Sequence, residues 1–334
     1  MPNTKPVNDN ASVTRFIIDK AREAGLARVY PIGALTRGSE GEELAEMAEM
    51  KEAGAVAVSD DGRPVMNSQV MRHAMEYARD QGLVVVDHCQ DLCLSAGGVM
   101  NEGRYSSLLG LKGMSGAAEE SHIARDILLA EMTGARVHVA HVSTAGAVEL
   151  IRRAKARGLA VTCEATPHHL ALTDEAVISF DTNTKMNPPL RSEEDRGALI
   201  EGVVDGTIDA IATDHAPHHQ DEKMLEYDNA PFGVIGLETA LGVLLTKLYH
   251  TNAVGLSRLV ETLTSGPARV FGLPGGALTA GSPADITVLD LSQEWEVAPF
   301  RFKSNSRNTP FGGWKLRGAV MATFVAGRRL YNGE

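Results

Sequence analysis

Four short apolar runs in this chain end in an acid or an imidazole. Ala55–Val58 leads to Asp60 and Asp61, Leu83–Val86 to Asp87 and His88, Arg136–Ala140 to His141, and Ile208–Ala212 to Asp214 and His215. Carboxylates and neutral imidazoles suit zinc and related divalent ions. A catalytic centre of that type keeps one position open for water and lowers the pKa of that water toward about 7. A carboxylate beside it can take a proton and hand it to a leaving nitrogen. This is chemistry that opens an amide or, in reverse, closes one. A lone histidine at a strand end is more often a hydrogen-bonded structural residue. Four such ends in succession point instead to one metal site built from Asp61, His88, His141 and Asp214, with Asp214 also the acid/base. Spacing alone does not separate Asp61 from Asp60.

The elements around these residues alternate. Helical apolar spacing covers 10–25, 40–53, 67–81, 117–133, 144–157, 192–205, 235–249 and 256–264. Strand-like runs occupy 27–32, 55–59, 83–87, 136–140, 159–163 and 208–212. Strand–helix alternation with right-handed crossovers gives a parallel sheet. Strand ends that carry catalytic groups are the habit of a TIM-type α/β barrel. The fold expected is therefore a (β/α)8 metal-dependent hydrolase barrel. Six strands are read where a closed barrel has eight, so strand 1 and most of strand 2 are expected to be absent ahead of Met1. The alternative, an open doubly wound sheet, needs no further strands. Residues 281–290 and 316–330 read as an edge strand and a hairpin. The division expected is a barrel over 1–275 and a small β appendage over 276–334.

Other residues draw blander readings. Asp87 and His138 read as structural, with His138 facing the helix layer because it alternates with His141 through the pleat. His73, His122 and His250 lie in helical stretches and read as surface or packing residues. Cys89 and Cys93 have a spacing that could bind zinc, yet ordinary thiols are the simpler reading. The Gly-rich loop 89–115 and the stretch 219–229 are expected to border the mouth of the site, since long loops in compact domains are usually functional.

Composition narrows the class. The chain has 334 residues, 43% of them hydrophobic, enough for one large core. Its net charge of -11 with no basic block disfavours nucleic acid and anionic membranes. No apolar run reaches the roughly 20 residues of a membrane helix, and Met1–Lys5 has no apolar signal core. Three cysteines argue against a disulfide framework and for a reducing cytoplasm.

In this order, these residues resemble the amidohydrolase superfamily, and the match narrows to bacterial class I dihydroorotases. It is carried by Met1-Pro2-Asn3-Thr4, Ser59-Asp60-Asp61-Gly62, Asp87-His88-Cys89, His141-Val142-Ser143-Thr144 and Glu164-Ala165-Thr166-Pro167-His168-His169-Leu170, together with Ser306-Arg307-Asn308-Thr309-Pro310-Phe311. The sharpest pair is Lys185-Met186-Asn187-Pro188-Pro189-Leu190-Arg191 with Asp214-His215-Ala216-Pro217-His218. The resemblance implies that Asp61, rather than Asp60, takes the metal-bridging place that a carboxylated lysine fills in many relatives. It implies that His88 and His141 bind zinc, one or two ions per subunit, and that Asp214 is the zinc-bound acid/base. Asn3, Asn187, His218 and the Phe232-Gly233 backbone match substrate contacts. The implied reaction is the reversible cyclisation of N-carbamoyl-L-aspartate to L-dihydroorotate in de novo pyrimidine synthesis. Donors near a cationic centre suit that dianionic substrate.

The resemblance also shows a departure. The family carries a His-x-His pair and a nearby Arg on its first barrel strand, and this sequence starts after that point. The readings are a fragment or misplaced start, a non-catalytic relative that partners aspartate carbamoyltransferase, and ligands supplied by another chain. A hydantoinase or allantoinase of the same fold is opposed by Asp61 and by Asn187-Pro188-Pro189-Leu190-Arg191. The chain as it stands is expected to bind zinc weakly and turn over little, to sit in the cytoplasm and to form a homo-oligomer.

Overall fold

The computed structural model describes residues 1–333. Strands Ile32–Ala34, Ala57–Ser59, Val84–Asp87, Arg136–Val139, Val161–Ala165 and Ala210–Ile211 form a six-stranded sheet, paired in chain order and parallel throughout. Helices Met47–Glu52, Ser68–Asp80, Ala117–Thr133, Ala145–Ala156 and Glu193–Asp205 fall between successive strands. Both faces of the sheet are covered, which is why the strands read as near-continuous apolar runs. On the outer face Val85, Val137, Val139, Val161 and Cys163 pack with Met71, Met75, Ile123, Ile151 and Leu199 from the helices. On the inner face Ala57, Val84, Val86 and Ala140 pack with Phe271.

The helix signals act locally. The Asn10 side chain accepts from Ser12 N and Val13 N and starts Ala11–Ala24, which Gly25 ends at φ 61°. Ser192 and Asp195 form a reciprocal capping box at Glu193–Asp205. Where expectations fail, long-range bonds override local pattern. The first strand lies at 32–34 rather than 27–32, because Pro31 has no N–H and Asn8 holds this segment through Ala34 N→Asn8 O at 2.8 Å and Asn8 Nδ2→Ile32 O at 3.0 Å. The helix expected over 40–53 shrinks to 47–52, since Arg37 N donates to Glu43 O at 2.8 Å and Thr36 bridges to Leu44. The helix expected from 235 begins at 240, because Ile235 N is bonded to Asn308 O.

His138 is the clearest correction. Its neighbours Val137 and Val139 face the helices, so His138 faces the interior, bonded to Thr162 Oγ1 at 2.8 Å and Glu164 Oε2 at 3.2 Å. The expected alternation with His141 fails because His141 adopts φ 34°. That left-handed residue breaks the two-residue period after Ala140.

Strands Ile286–Glu296, Lys315–Val325 and Arg328–Tyr331 form an antiparallel sheet with Lys315–Val325 in the middle. It packs on helix Ala240–Leu244 through Val243 and Leu316. At Gly242 an added Cβ would stand 2.8 Å from the Trp295 ring, so only glycine allows this approach. No described helix is long and apolar enough to cross a membrane.

Beside the sheet, His169 is buried between Thr166 Oγ1 at 2.8 Å and the Pro188 carbonyl at 3.0 Å. Burial lowers its pKa from 6.5 to about 3. A depressed folded value means stability that is complete above pH 6.5 and declines as pH falls toward 3. Chemical denaturation across that range should show His169→Gln losing less stability than wild type. Equal losses would remove His169 from the acid response.

Candidate metal centre

Strand ends deliver the site residues, and the backbone just past Ser59 separates the two adjacent acids. Asp60 turns to the neighbouring strand. Its Oδ1 accepts from Leu35 N at 2.9 Å and Thr36 N at 3.1 Å, and its Oδ2 accepts from the Thr36 hydroxyl. It is a clasp between two strand ends. Asp60→Ala would leave two buried donors, Thr36 N and the Thr36 hydroxyl, without an acceptor, while Leu35 N keeps its bond to Ser59 O at 3.2 Å. The substitution should cost about 3 kcal/mol of stability in denaturant unfolding, while the affinity of Asp61, His88 and His141 for a divalent cation changes little.

Asp61 faces the histidines. Its Oδ1 lies 3.8 Å from His88 Nδ1 and 3.5 Å from His141 Nε2, and those two ring nitrogens are 3.0 Å apart. One ligand atom from each of the three buried residues falls within 4.8 Å of the others. Burial alone would lower the His141 pKa. The Asp61 hydrogen bond and the charges of Asp214, Asp61 and Glu164 outweigh it and push His141 up to about 9. Burial and the charge on His141 lower His88. Burial would raise Asp61, but His141 and His88 hold it below the ordinary carboxylate value. His141 Nδ1 is buried without a partner. One oxygen and two nitrogen ligand atoms thus converge. That set fits a divalent cation.

Asp214 follows strand Ala210–Ile211 and, like His141, takes a left-handed backbone, φ 46°. Non-glycine residues held there cost about 1–3 kcal/mol each and cluster at functional sites. Its carboxylate lies outside the three-atom cluster but acts electrostatically on His141. Desolvation, with the charges of Asp61 and Glu164, raises its pKa to about 6 against the opposing pull of His141. Glu164 was missed by sequence reasoning. The signal was there in its position, one residue before the end of strand Val161–Ala165 and opposite in face to buried Cys163 and Ala165.

The remaining candidates divide into two groups. Asn3 Nδ2 donates to Asp61 Oδ2 at 3.3 Å, placing the N-terminal segment at the centre. Asn187 Nδ2 lies 3.3 Å from His88 Nε2 and donates to Gln90 Oε1 at 2.7 Å, and Gln90 also pairs with His88 Nε2 at 2.9 Å. Gln90 was not foreseen. His218, Phe232 and Gly233 form a separate cluster, with His218 Nε2 2.7 Å from Phe232 O and Gly233 N donating to Lys185 O at 2.9 Å. Gly233 has φ 120°, and an added Cβ would come within 2.6 Å of Ala216 Cβ.

The loop 89–115 does border the site. A cleft beside His88 is lined by Gln90, Ser95, Met114 and Asn187. Buried Arg191 ties this loop down, donating to Asn101 Oδ1 at 3.0 Å, Met114 O at 2.9 Å and Ser143 Oγ at 3.0 Å. The stretch read as a Gly-rich loop also contains a short helix, Arg104–Leu109. Lys223, from the 219–229 stretch, donates to Pro231 O at 2.8 Å, next to Phe232. His73 is exposed and His250 half-buried, whereas His122 is buried.

The Dihydro-orotase-like family matches residues 1–147. A protein named Dihydroorotase from Pelotomaculum thermopropionicum is 59% identical over 328 residues, covering 98% of this chain and 77% of that one. The chain belongs to the dihydroorotase family. A second Dihydroorotase, from Syntrophotalea carbinolica, is 54% identical over 331 residues, 99% of this chain and 78% of its own. Among solved structures, L-hydantoinase (dihydropyrimidinase) from Arthrobacter aurescens superposes with a TM-score of 0.86 at 28% identity, covering 100% of this chain and 76% of its own.

The dihydroorotase family makes the chain a cyclic amidohydrolase, interconverting N-carbamoyl-L-aspartate and L-dihydroorotate. Dihydroorotases share twice the identity that the hydantoinase does, so the likeness to the latter is one of barrel architecture. The hydantoinase and non-catalytic readings are not favoured. The groups able to hold a metal ion agree with the family's hydrolytic chemistry.

Proposed function

We propose that Asp61, His88 and His141 hold zinc, one or two ions per subunit with Asp214 as a further ligand, and that Asp214 is the proton carrier of the dihydroorotase reaction. The convergence of three buried ligand atoms within 4.8 Å carries this reading. Zinc, when bound, lowers the pKa of water and polarises the scissile carbonyl. Asp214, raised to about 6, gains and loses a proton close to neutral pH. In ring opening its ionised carboxylate takes a proton from the attacking water and gives it to the departing ring nitrogen. In ring closure the transfers reverse. Glu164 and Asp61 keep the Asp214 proton available by raising its affinity for it.

Asn3 and Asn187 offer amide donors beside the centre, and His218 with the Phe232–Gly233 backbone offers a second anchoring point for a dianionic substrate. These groups now bond within the chain, so substrate carboxylates would take over bonds such as Asn3 to Asp61 and Asn187 to Gln90. We divide the chain into a barrel over 1–275 and an appendage over 276–334.

The test is the zinc-loaded protein assayed with dihydroorotate, hydantoin and allantoin, before and after chelation. The expected result is conversion of dihydroorotate alone, abolished by chelation and restored by zinc. Conversion that survives complete metal removal, or a preference for hydantoin, would overturn the proposal.

A further inference from the structure

Behind the centre lies a second group of metal-type side chains that the reaction does not use. Asp87 and Cys89 flank His88 in an extended segment, so both point away from it, toward helix Ala117–Thr133. His122 and Asp126 are four residues apart on that helix and share one face. Cys89 Sγ lies 3.4 Å from Asp87 Oδ2 and 3.6 Å from Asp126 Oδ2. His122 Nδ1 lies 3.6 Å from Asp87 Oδ2, too far for a hydrogen bond. All four residues are buried.

The second observation is His122 itself. It is 4% exposed, and neither ring nitrogen has a hydrogen-bond partner among the described residues. Asp87 Oδ1 is likewise buried and unpartnered. Orphaned buried polar atoms of this kind cost about 1–3 kcal/mol each. A ligand that pairs with them removes that cost.

The spacings identify the ligand. A tetrahedral site with bonds of about 2.0–2.3 Å has ligand-to-ligand edges of roughly 3.3–3.8 Å. The Cys89–Asp87 and His122–Asp87 separations, 3.4 and 3.6 Å, fall in that range. Charge agrees as well. An ionised Asp87 and a Cys89 thiolate, formed when the cation displaces the thiol proton, would carry two negative charges beside the Arg125 guanidinium, and a divalent cation balances them. Arg125 Nη2 lies 2.8 Å from Asp126 Oδ1 and 3.6 Å from Asp87 Oδ2.

We propose that Asp87, Cys89 and His122 form a second, structural metal site for a zinc-class divalent cation, with Asp126 beside it. Thiolate and imidazole ligands select such an ion over magnesium or calcium. All three ligands are buried, and a site with no open approach for substrate is structural rather than catalytic. Its place in the fold gives it a task, since it would clamp both chain neighbours of His88 and fix the direction of that ring. The pairing first considered for Cys89 is replaced, because Cys93 is exposed and joins no such group among the described residues.

Cobalt(II) reconstitution tests this, because the Asp61–His88–His141 centre contains no sulfur. Cobalt-loaded wild type should show a thiolate-to-cobalt charge-transfer band in the near ultraviolet. The band should persist in His141→Ala, Cys93→Ser and Cys163→Ala and vanish in Cys89→Ser. His122→Ala should bind one metal ion fewer per chain. Absence of the band in wild type would overturn the proposal, and that measurement needs no folded variant. Survival of the band in Cys89→Ser would overturn it too. If Cys89→Ser does not fold, persistence of the band in both other cysteine variants assigns it to Cys89, and its loss in either one refutes the assignment.

Discussion

Asp214→Asn should lower dihydroorotate turnover by at least about 100-fold, the scale of a lost acid/base group. The amide keeps the shape of the side chain but neither accepts nor releases a proton near neutral pH. Asp214 reaches about 6 only because it is desolvated beside Asp61 and Glu164. Its charge also sustains the proton on His141, so the variant should lower the His141 pKa from about 9. Folding should survive, since no bond in the barrel depends on this carboxylate and φ 46° is tolerated at least as well by asparagine. Steady-state rates, circular dichroism and an NMR titration of the histidines check all three. Turnover within a few-fold of wild type would take Asp214 out of the proton path.

The second large effect belongs to His141→Ala. It should weaken zinc binding by more than about 100-fold, beyond what losing an outer partner of a metal ligand costs, and activity should fall with it. His141 supplies the nitrogen closest to Asp61 and is the main group holding Asp61 below its ordinary pKa. Without it a buried carboxylate stands beside His88 with less reason to ionise, and so makes a poorer ligand. Competition against a chelator measures the affinity directly. An unchanged dissociation constant would show that the cation sits elsewhere.

Much of the barrel was legible because its signals are local. Asn10, Asn67, Thr144 and Ser192 cap helices where they occur in the chain, and each lies at or within a residue or two of the expected start. The acids and histidines after the apolar runs pointed to the correct end of the sheet, since every parallel strand of a barrel opens on the same rim. Segments whose bonds go to distant residues were misread. Residues 40–46 have helical spacing, but Arg37 and Thr36 draw them into a turn. His122 was read as packing, because nothing in its own helix marks the buried pocket it shares with Asp87 and Cys89.

The sequence by itself determined which residue types stand at the strand ends and in what order, and hence a metal-dependent amide hydrolase on a barrel. Tertiary structure decided which of them meet. Spacing left Asp60 and Asp61 equivalent, the family resemblance favoured Asp61, and the donors at Leu35 and Thr36 give the physical reason, since they take Asp60 away as a clasp. Period-two alternation put His138 and His141 on opposite faces with His138 outward, and the left-handed turn at His141 reversed that assignment. The reason is physical. Caps and alternation follow from backbone geometry over a few residues, whereas strained φ values, desolvated carboxyls and converging ligands exist only where packed neighbours hold them.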